Sequence, residues 1–326
     1  MEFALSEEQA ELAGIVRTVL AKQADPTAVR AALATAAGHD ENLWATLCEQ
    51  VGVAALAVPE ELGGVGATFF ETAVVLEELG RSLAPSPLLA TAVATAALLA
   101  GGSDEAKARL LPRITAGEVA TVALDPDRPV LDADRAAIVL AVVGEDLVEV
   151  ADPRATWAES MDQTVRLARL GSVDGARVGD GPQAAAAARL ALTAGATALA
   201  VGLCDRALRM TVDYSRERVQ FGRPIGSFQA LKHRMAEMLV RLELARSASW
   251  AAAHAVGSGS DDAADLAQVA ASYALDAAAD LAGECVQLHG GIAITWEHDA
   301  HLVFKRAHAL AQLAGPPHAL RATVRL

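Results

Sequence analysis

The side chains in this sequence best placed to do chemistry are cations crowded at one turn. Arg216, Arg218, Arg223, Lys232 and Arg234 fall within YSRERVQFGRPIGSFQALKHRMAEMLVRL, residues 214–242, in a chain whose formal net charge is −14. Guanidinium groups pair bidentately with phosphate, so such a turn can hold an anion. It can equally be a solvated helix end whose cations complement the C-terminal dipole. The carboxylates Glu297 and Asp299, in TWEHD, are better suited to capping the last helix than to catalysis. His298, His301 and His308 have no recognisable metal-binding spacing. Cys48, Cys204 and Cys285 are far apart and odd in number, which disfavours both a disulfide scaffold and a zinc site.

The basic turn must sit between two long helices. Gly222 is suited to closing one helix, Pro224 cannot continue it, and Ser227 is placed to cap the next. Leu231, Met235, Met238, Leu239 and Leu242 then recur on one face. Upstream, Leu192, Leu199, Leu203 and Met210 line a long helix in which Gly195 and Gly202 allow a neighbour to approach. Further helices are predicted to end at Leu288, before Gly290-Gly291, and across 301–313, giving a bundle of four. A flexible link, GSGS at 257–260, separates the second from the third.

Before the bundle lie two other regions. Ser6 and Gln9 have capping-box spacing for a first helix, with Leu12, Ile15, Val16 and Val19 on its apolar face. Helical patterns continue at 28–36, 41–51, 68–80, 88–100 and 105–111. Short Val- and Ile-rich runs at 119–124, 136–143, 147–150 and 164–170 are then predicted as strands, with Gly144-Glu-Asp146 a hairpin turn. The expected fold is mainly α with a small β-domain: a helical domain over 1–118, a short β-domain over 119–182 and a bundle over 183–326.

The acidic balance argues against nucleic acid, whose binders present a basic stripe. The N-terminus lacks the basic region of a signal peptide. The apolar stretch 186–204 carries Arg189 and is mostly Ala, Gly and Thr, which fits a buried bundle helix better than a membrane span. A soluble cytoplasmic protein is expected.

Three motifs, in order, carry a resemblance. Val58-Pro-Glu-Glu-Leu-Gly-Gly64 is followed by Glu77-Glu-Leu-Gly-Arg81. Arg218-Val-Gln-Phe-Gly222-Arg-Pro-Ile is followed by Phe228-Gln229-Ala and Met235-Ala-Glu-Met238. Gln287-Leu-His-Gly-Gly291 runs on to Thr295-Trp-Glu-His-Asp299. Together they closely resemble the acyl-CoA dehydrogenase family. That resemblance implies FAD and the oxidation of an acyl-CoA thioester to its trans-2-enoyl form, with a carboxylate removing the α-proton. It also implies a flavin shared between subunits. Arg218 would pair with the pyrophosphate of a flavin seated in the neighbour, and Phe221 and Gln229 would flank its adenine and ribose. Gln287, Gly290 and Gly291 would approach the phosphates.

The other half of such a site departs from the family pattern. Between Val119 and Gly181 there is neither a Gly-Ser-Asp element nor a Trp-[Ile/Val]-[Ser/Thr] segment to cradle the flavin ring; Trp157 stands in ATWAES. The two positions the family uses for its base correspond to Leu192 and Ala314. No Asp or Glu occurs between Asp180 and Asp205, or after Asp299. The chain thus resembles the shortened subunits of actinobacterial enzymes that degrade steroid side chains. The implied partner is a full-length acyl-CoA dehydrogenase homologue that binds most of the acyl-CoA, in a heterotetramer with two flavins. Two rival expectations are a self-sufficient homo-oligomer with another base, such as Glu297, and a flavin-free structural or regulatory partner.

Overall fold

The structure, a computed structural model, describes residues 4–324; the outermost residues of the expected domains, 1–3 and 325–326, lie outside them. The capping box forms: the Ser6 hydroxyl accepts from the Gln9 N–H, and the Gln9 side chain accepts from the Ser6 N–H, opening α1 (Glu7–Gln23). Val16 and Leu20 enter the core, while Ile15 is exposed. α2 (Pro26–Leu33) and α3 (Glu41–Thr46) each start at an aspartate, Asp25 and Asp40, that accepts from two backbone N–H groups. α4 (Phe69–Ser82), α5 (Leu88–Gly101) and α6 (Asp104–Thr115) complete this helical region.

Seven strands follow: β1 (Ala120–Ala123), β2 (Val130–Leu131), β3 (Ile138–Val143), β4 (Asp146–Val150), β5 (Thr156–Ala158), β6 (Leu167–Arg169) and β7 (Gly175–Asp180). They make one sheet in the order β1-β3-β4-β7, parallel only at β1–β3, and an antiparallel sheet β2-β6-β5. The Gly144 turn joins β3 to β4 as its spacing predicts. The strand predicted at 164–170 contracts to β6, because Thr164 is held in a turn by the Asp162 carboxylate. Strands β2, β5 and β7 were not foreseen.

The last region comprises α7 (Gly181–Glu217), a hairpin of β8 (Val219–Gln220) and β9 (Arg223–Pro224), α8 (Gln229–Ser258), α9 (Ala263–His289), α10 (Ala300–Ala314) and α11 (Pro317–Thr323). α8 runs on through Gly257 and closes at Gly259 in the left-handed region, so the predicted flexible link is shorter than expected. α11, also unforeseen, docks on α9 through an Arg321–Asp276 ion pair. Among the described residues α7 is long and apolar enough to cross a membrane, but most of that stretch is buried inside the protein.

α4 and α7 touch backbone to backbone. A Cβ at Gly202 would lie 1.9 Å from the Glu77 carbonyl oxygen, and one at Gly80 would lie 2.2 Å from that of Leu199. Only glycine on both sides permits this approach. Beside the seam Arg81 pairs with Glu77, Glu78 and Asp205. Arg17 of α1 reaches Glu78 at 2.7 Å, and Arg246 and Trp250 of α8 reach Glu77 at 3.2 and 3.1 Å. Each buried carboxylate therefore has several donors, the condition under which buried charge is tolerated.

Candidate functional site

The basic turn is built differently from the predicted helix–cap–helix. α7 ends at Glu217, and Arg218 is already extended. β8 and β9 then pair Val219 with Pro224 and Gln220 with Arg223. Phe221 (φ +54°) and Gly222 (φ +76°) turn the hairpin, so Gly222 serves a primed two-residue turn and closes no helix. The Ile225 N–H donates to the Arg218 carbonyl at 2.8 Å, fixing the base of the hairpin. Ser227 is not a cap: it lies in a short 3-10 turn, Phe228 takes the N-cap position, and no side chain caps α8. Leu231 and Lys232 donate to the Phe228 carbonyl, and no side chain among the described residues takes up the Gln229 or Ala230 N–H at this end of a thirty-residue helix, an end whose dipole favours an anion.

The cations at this turn separate into two groups. Arg216 pairs with Asp213 at 3.6 Å, Arg234 with Glu284 at 2.6 Å, and Arg223 lies 4.1 Å over the Phe228 ring. Arg218 and Lys232 are exposed and have no carboxylate partner among the described residues. Phe221 is 92% exposed, in a backbone conformation that a bulky residue seldom adopts. Among the described residues its aromatic neighbour is Phe228, edge-on at 6.2 Å.

The Gln287-Leu-His-Gly-Gly291 motif reaches the same end of the bundle through stacked rings. Tyr214, one turn before Arg218, stacks on His289 at 4.5 Å, and His289 lies 4.4 Å from His298. The His289 Nδ1–H donates to the Cys285 carbonyl at 2.7 Å. Burial pushes both imidazoles below their ordinary value, so both are neutral near pH 7. Gln287, Gly290 and Gly291 are exposed beside this stack, as is Gln229 at the start of α8. Gly290 has φ +66° and ψ −144°, which only glycine holds without strain. A Cβ at Gly291 would meet nothing within 4 Å, so no packing among the described residues requires glycine there.

Asp299 behaves differently from the predicted cap. It occupies the N-cap position of α10, but its carboxylate binds Arg30 at 2.6 Å and Arg206 at 2.8 Å. Two guanidinium groups outcompete neutral N–H donors, and His298 Nδ1 accepts from the Ala300 N–H in its place. Glu297 is exposed and caps nothing. Neither this network nor the ring stack was visible in the sequence, because Arg30, Arg206, Tyr214 and His289 lie far from one another along it.

A cleft of about 540 Å³ lies among α5, β1, α7 and α10. Leu192 and Leu313 both line it, and Ala314 is the next residue after Leu313. Of the two positions at which the family resemblance implies a base, Leu192 lines this cleft and Ala314 follows a residue that does, and both are apolar. Trp157 is on the outer strand β5, exposed, 5.9 Å from the Arg166 guanidinium. The three cysteines are buried free thiols, with burial pushing Cys48 and Cys204 up to about 12 and Cys285 to about 11.

A helical region, a small pair of sheets and an antiparallel bundle with a basic hairpin at one end define a flavoprotein dehydrogenase architecture. Residues 6–118 match the acyl-CoA dehydrogenase N-terminal domain, and residues 179–325 match the acyl-CoA dehydrogenase C-terminal domain. The chain belongs to the acyl-CoA dehydrogenase family, oxidoreductases that use FAD. It is 47% identical to acyl-CoA dehydrogenase IpdE2 of Mycobacterium tuberculosis over 312 residues, 95% of this chain and 94% of that one. It is 46% identical to IpdE2 of Mycolicibacterium smegmatis over 96% of both chains. Its fold superposes on a chain of the Tcur3481-Tcur3483 steroid ACAD variant with a TM-score of 0.89, at 29% identity, covering 98% of this chain and 96% of that one. A chain of the ChsE4-ChsE5 complex from Mycobacterium tuberculosis gives 0.87 at 28% identity, covering 99% and 97%.

The residues present fit one end of FAD. An unpaired Arg218, the uncapped α8 terminus and the open space at Gly291 suit a pyrophosphate, and the projecting Phe221 offers an aromatic face. FAD, when bound, supplies the acceptor for the hydride removed from the acyl chain.

Proposed function

We propose that this chain is the base-lacking subunit of a heteromeric FAD-dependent acyl-CoA dehydrogenase. It works in the cytoplasm with a full-length homologue, in a heterotetramer with two copies of each subunit. The substrate is a CoA thioester of a steroid-derived acyl chain, bound mainly by the partner. Arg218 would hold the pyrophosphate of a flavin whose ring lies in the partner. Phe221 and Gln229 would flank the adenosine, with Gln287, Gly290 and Gly291 against the phosphates. The observation that carries the reading is an asymmetry. Nucleotide-side residues stand exposed and unpaired, whereas Leu192 and Ala314 put hydrocarbon where the α-proton would have to be taken. The likeness to chains of the ChsE4-ChsE5 complex and of the Tcur3481-Tcur3483 steroid enzyme supports it.

The test is co-expression with a full-length homologue, followed by native mass and flavin absorbance. The mixed complex should carry one flavin per pair of unlike subunits, and this chain purified alone should be colourless. A yellow, self-sufficient preparation that dehydrogenates a thioester would refute the proposal.

A further inference from the structure

We infer that the ring stack at the end of the bundle, Tyr214 on His289 and His289 beside His298, is an acid-opened lock on the segment joining α9 to α10. Both imidazoles are bonded in ways that only their neutral forms satisfy. His289 is buried; its Nδ1–H donates to the Cys285 carbonyl at 2.7 Å, and its Nε2 has no hydrogen-bond partner among the described residues. His298 Nδ1 accepts from the Ala300 N–H at 3.2 Å, and so stands in for the cap that the Asp299 carboxylate does not give α10. An imidazolium has no acceptor, so a proton on that nitrogen would meet the N–H and break the contact. The two rings lie 4.4 Å apart, and a charge on one opposes a charge on the other.

The surroundings give an imidazolium little compensation. On α10, Asp299 favours a proton on His298, but Arg30 of α2 and Arg206 of α7 already share that carboxylate. Those two guanidinium groups and His301 act against the proton. Lys305 does the same to His301, and Glu297, next to His298 in sequence, is exposed. Around His289, the carbonyls of Cys285 on α9 and Met210 on α7 favour a proton, but burial outweighs them. The Cys285 thiol, 3.6 Å from Nδ1, stays neutral, and Tyr214 stacks on the ring at 4.5 Å. In acid the closed segment therefore refuses protons that the opened segment accepts. Opening releases Gly290-Gly291, the turn Gly290–Ile294 and the start of α10. The lock stands on the fold alone. Its effect on flavin rests on the preceding reading, which sets the phosphates against Gly290 and Gly291.

Amide hydrogen exchange on the full chain, corrected for the intrinsic pH dependence of exchange, tests this between about pH 8 and 5.5. Peptides covering residues 286–303 should hold their protection down to about pH 7. Below the ordinary imidazole value of about 6.5 they should lose about tenfold per pH unit for each proton taken up. Peptides of α5 should remain protected throughout. His298→Asn supplies a side-chain oxygen that accepts from the Ala300 N–H without titrating, and should remove one proton from the dependence. Adding His289→Phe, which keeps a ring in the stack, should flatten it; should that second change prevent folding, the single variant decides. Constant protection of 286–303 in the parent, exchange of α5 at the same rate, or an unaltered dependence in His298→Asn would overturn the lock. Flavin retained by the mixed complex should fall over the same pH range. A segment that opens while flavin stays bound would support the lock and refute the placing of the phosphates, so the two failures are told apart.

Discussion

Replacing Arg218 with alanine isolates the part of the proposed nucleotide contact that owes least to the fold. The guanidinium is exposed and has no carboxylate partner among the described residues, while its backbone donates to the Tyr214 carbonyl and accepts from the Ile225 N–H. Surface changes of this kind alter stability by about 0.5 kcal/mol or less. A charge-assisted hydrogen bond to pyrophosphate contributes about 1.5–3 kcal/mol, equivalent to about 10–100-fold in flavin affinity. The uncapped α8 terminus and Gly290-Gly291 are untouched, so weakened binding is expected, not complete loss. The assay is flavin retained per mixed complex after exhaustive dialysis, alongside thermal unfolding of the same samples. Arg234→Ala serves as the control, since it breaks the 2.6 Å pair with Glu284 at a partly exposed position and should leave flavin affinity unchanged. Equal retention by the Arg218 variant and the parent would remove this residue from the nucleotide site. A large fall in melting temperature would show that its role is structural.

Other substitutions separate strain, charge and contact. Gly290→Ala should destabilise the chain by about 1–3 kcal/mol, measured by denaturant unfolding, because φ +66° with ψ −144° excludes a Cβ. Gly291→Ala should leave the melting temperature unchanged, its Cβ having no neighbour within 4 Å, yet reduce flavin retention in the mixed complex. Asp299→Ala should cost roughly 1–3 kcal/mol by leaving Arg30 and Arg206, both partly buried, without their shared carboxylate. Burial, with a smaller push from Asp134, raises the Asp132 carboxyl from 3.8 to about 7. A raised carboxyl stabilises the fold fully below its unfolded value, and that stability is lost as pH rises through about 7. Asp132→Asn, uncharged and tolerant of the left-handed φ of +51°, should be more stable than the parent above that pH by roughly 2–4 kcal/mol. The gap should close towards acid pH.

The long helices were legible because their apolar residues recur at helical spacing. Leu199 and Leu203 are buried, and Gly202 makes the close approach its placement suggested. The β3–β4 hairpin was legible from Gly144-Glu-Asp146 between two apolar, Val-rich runs. β7 was not, since GARVGD exposes its first three residues and shows no alternating apolar pattern. β2 and β5, of two and three residues, are defined by pairing with β6 and not by composition. The motif residues mark the end of the bundle, but the sequence leaves the form of the turn between them open. A glycine followed two residues later by proline suits a helix stop as well as a hairpin, and only the pairing of Gln220 with Arg223 decides between them. Asp299 reads as a cap in the sequence because its true partners, Arg30 and Arg206, are brought to it by tertiary packing.

The glycine contact between α4 and α7 bears on how the chain can move and be divided. With carbonyl oxygens lying where either Cβ would go, the two helices have no side-chain cushion along which to slide. A hinge at that seam would have to part backbones in van der Waals contact, so any opening motion must arise elsewhere. The leading helices are therefore no detachable module: cutting the chain after α6 would expose a flat groove on α7 that fits little but the backbone it has lost.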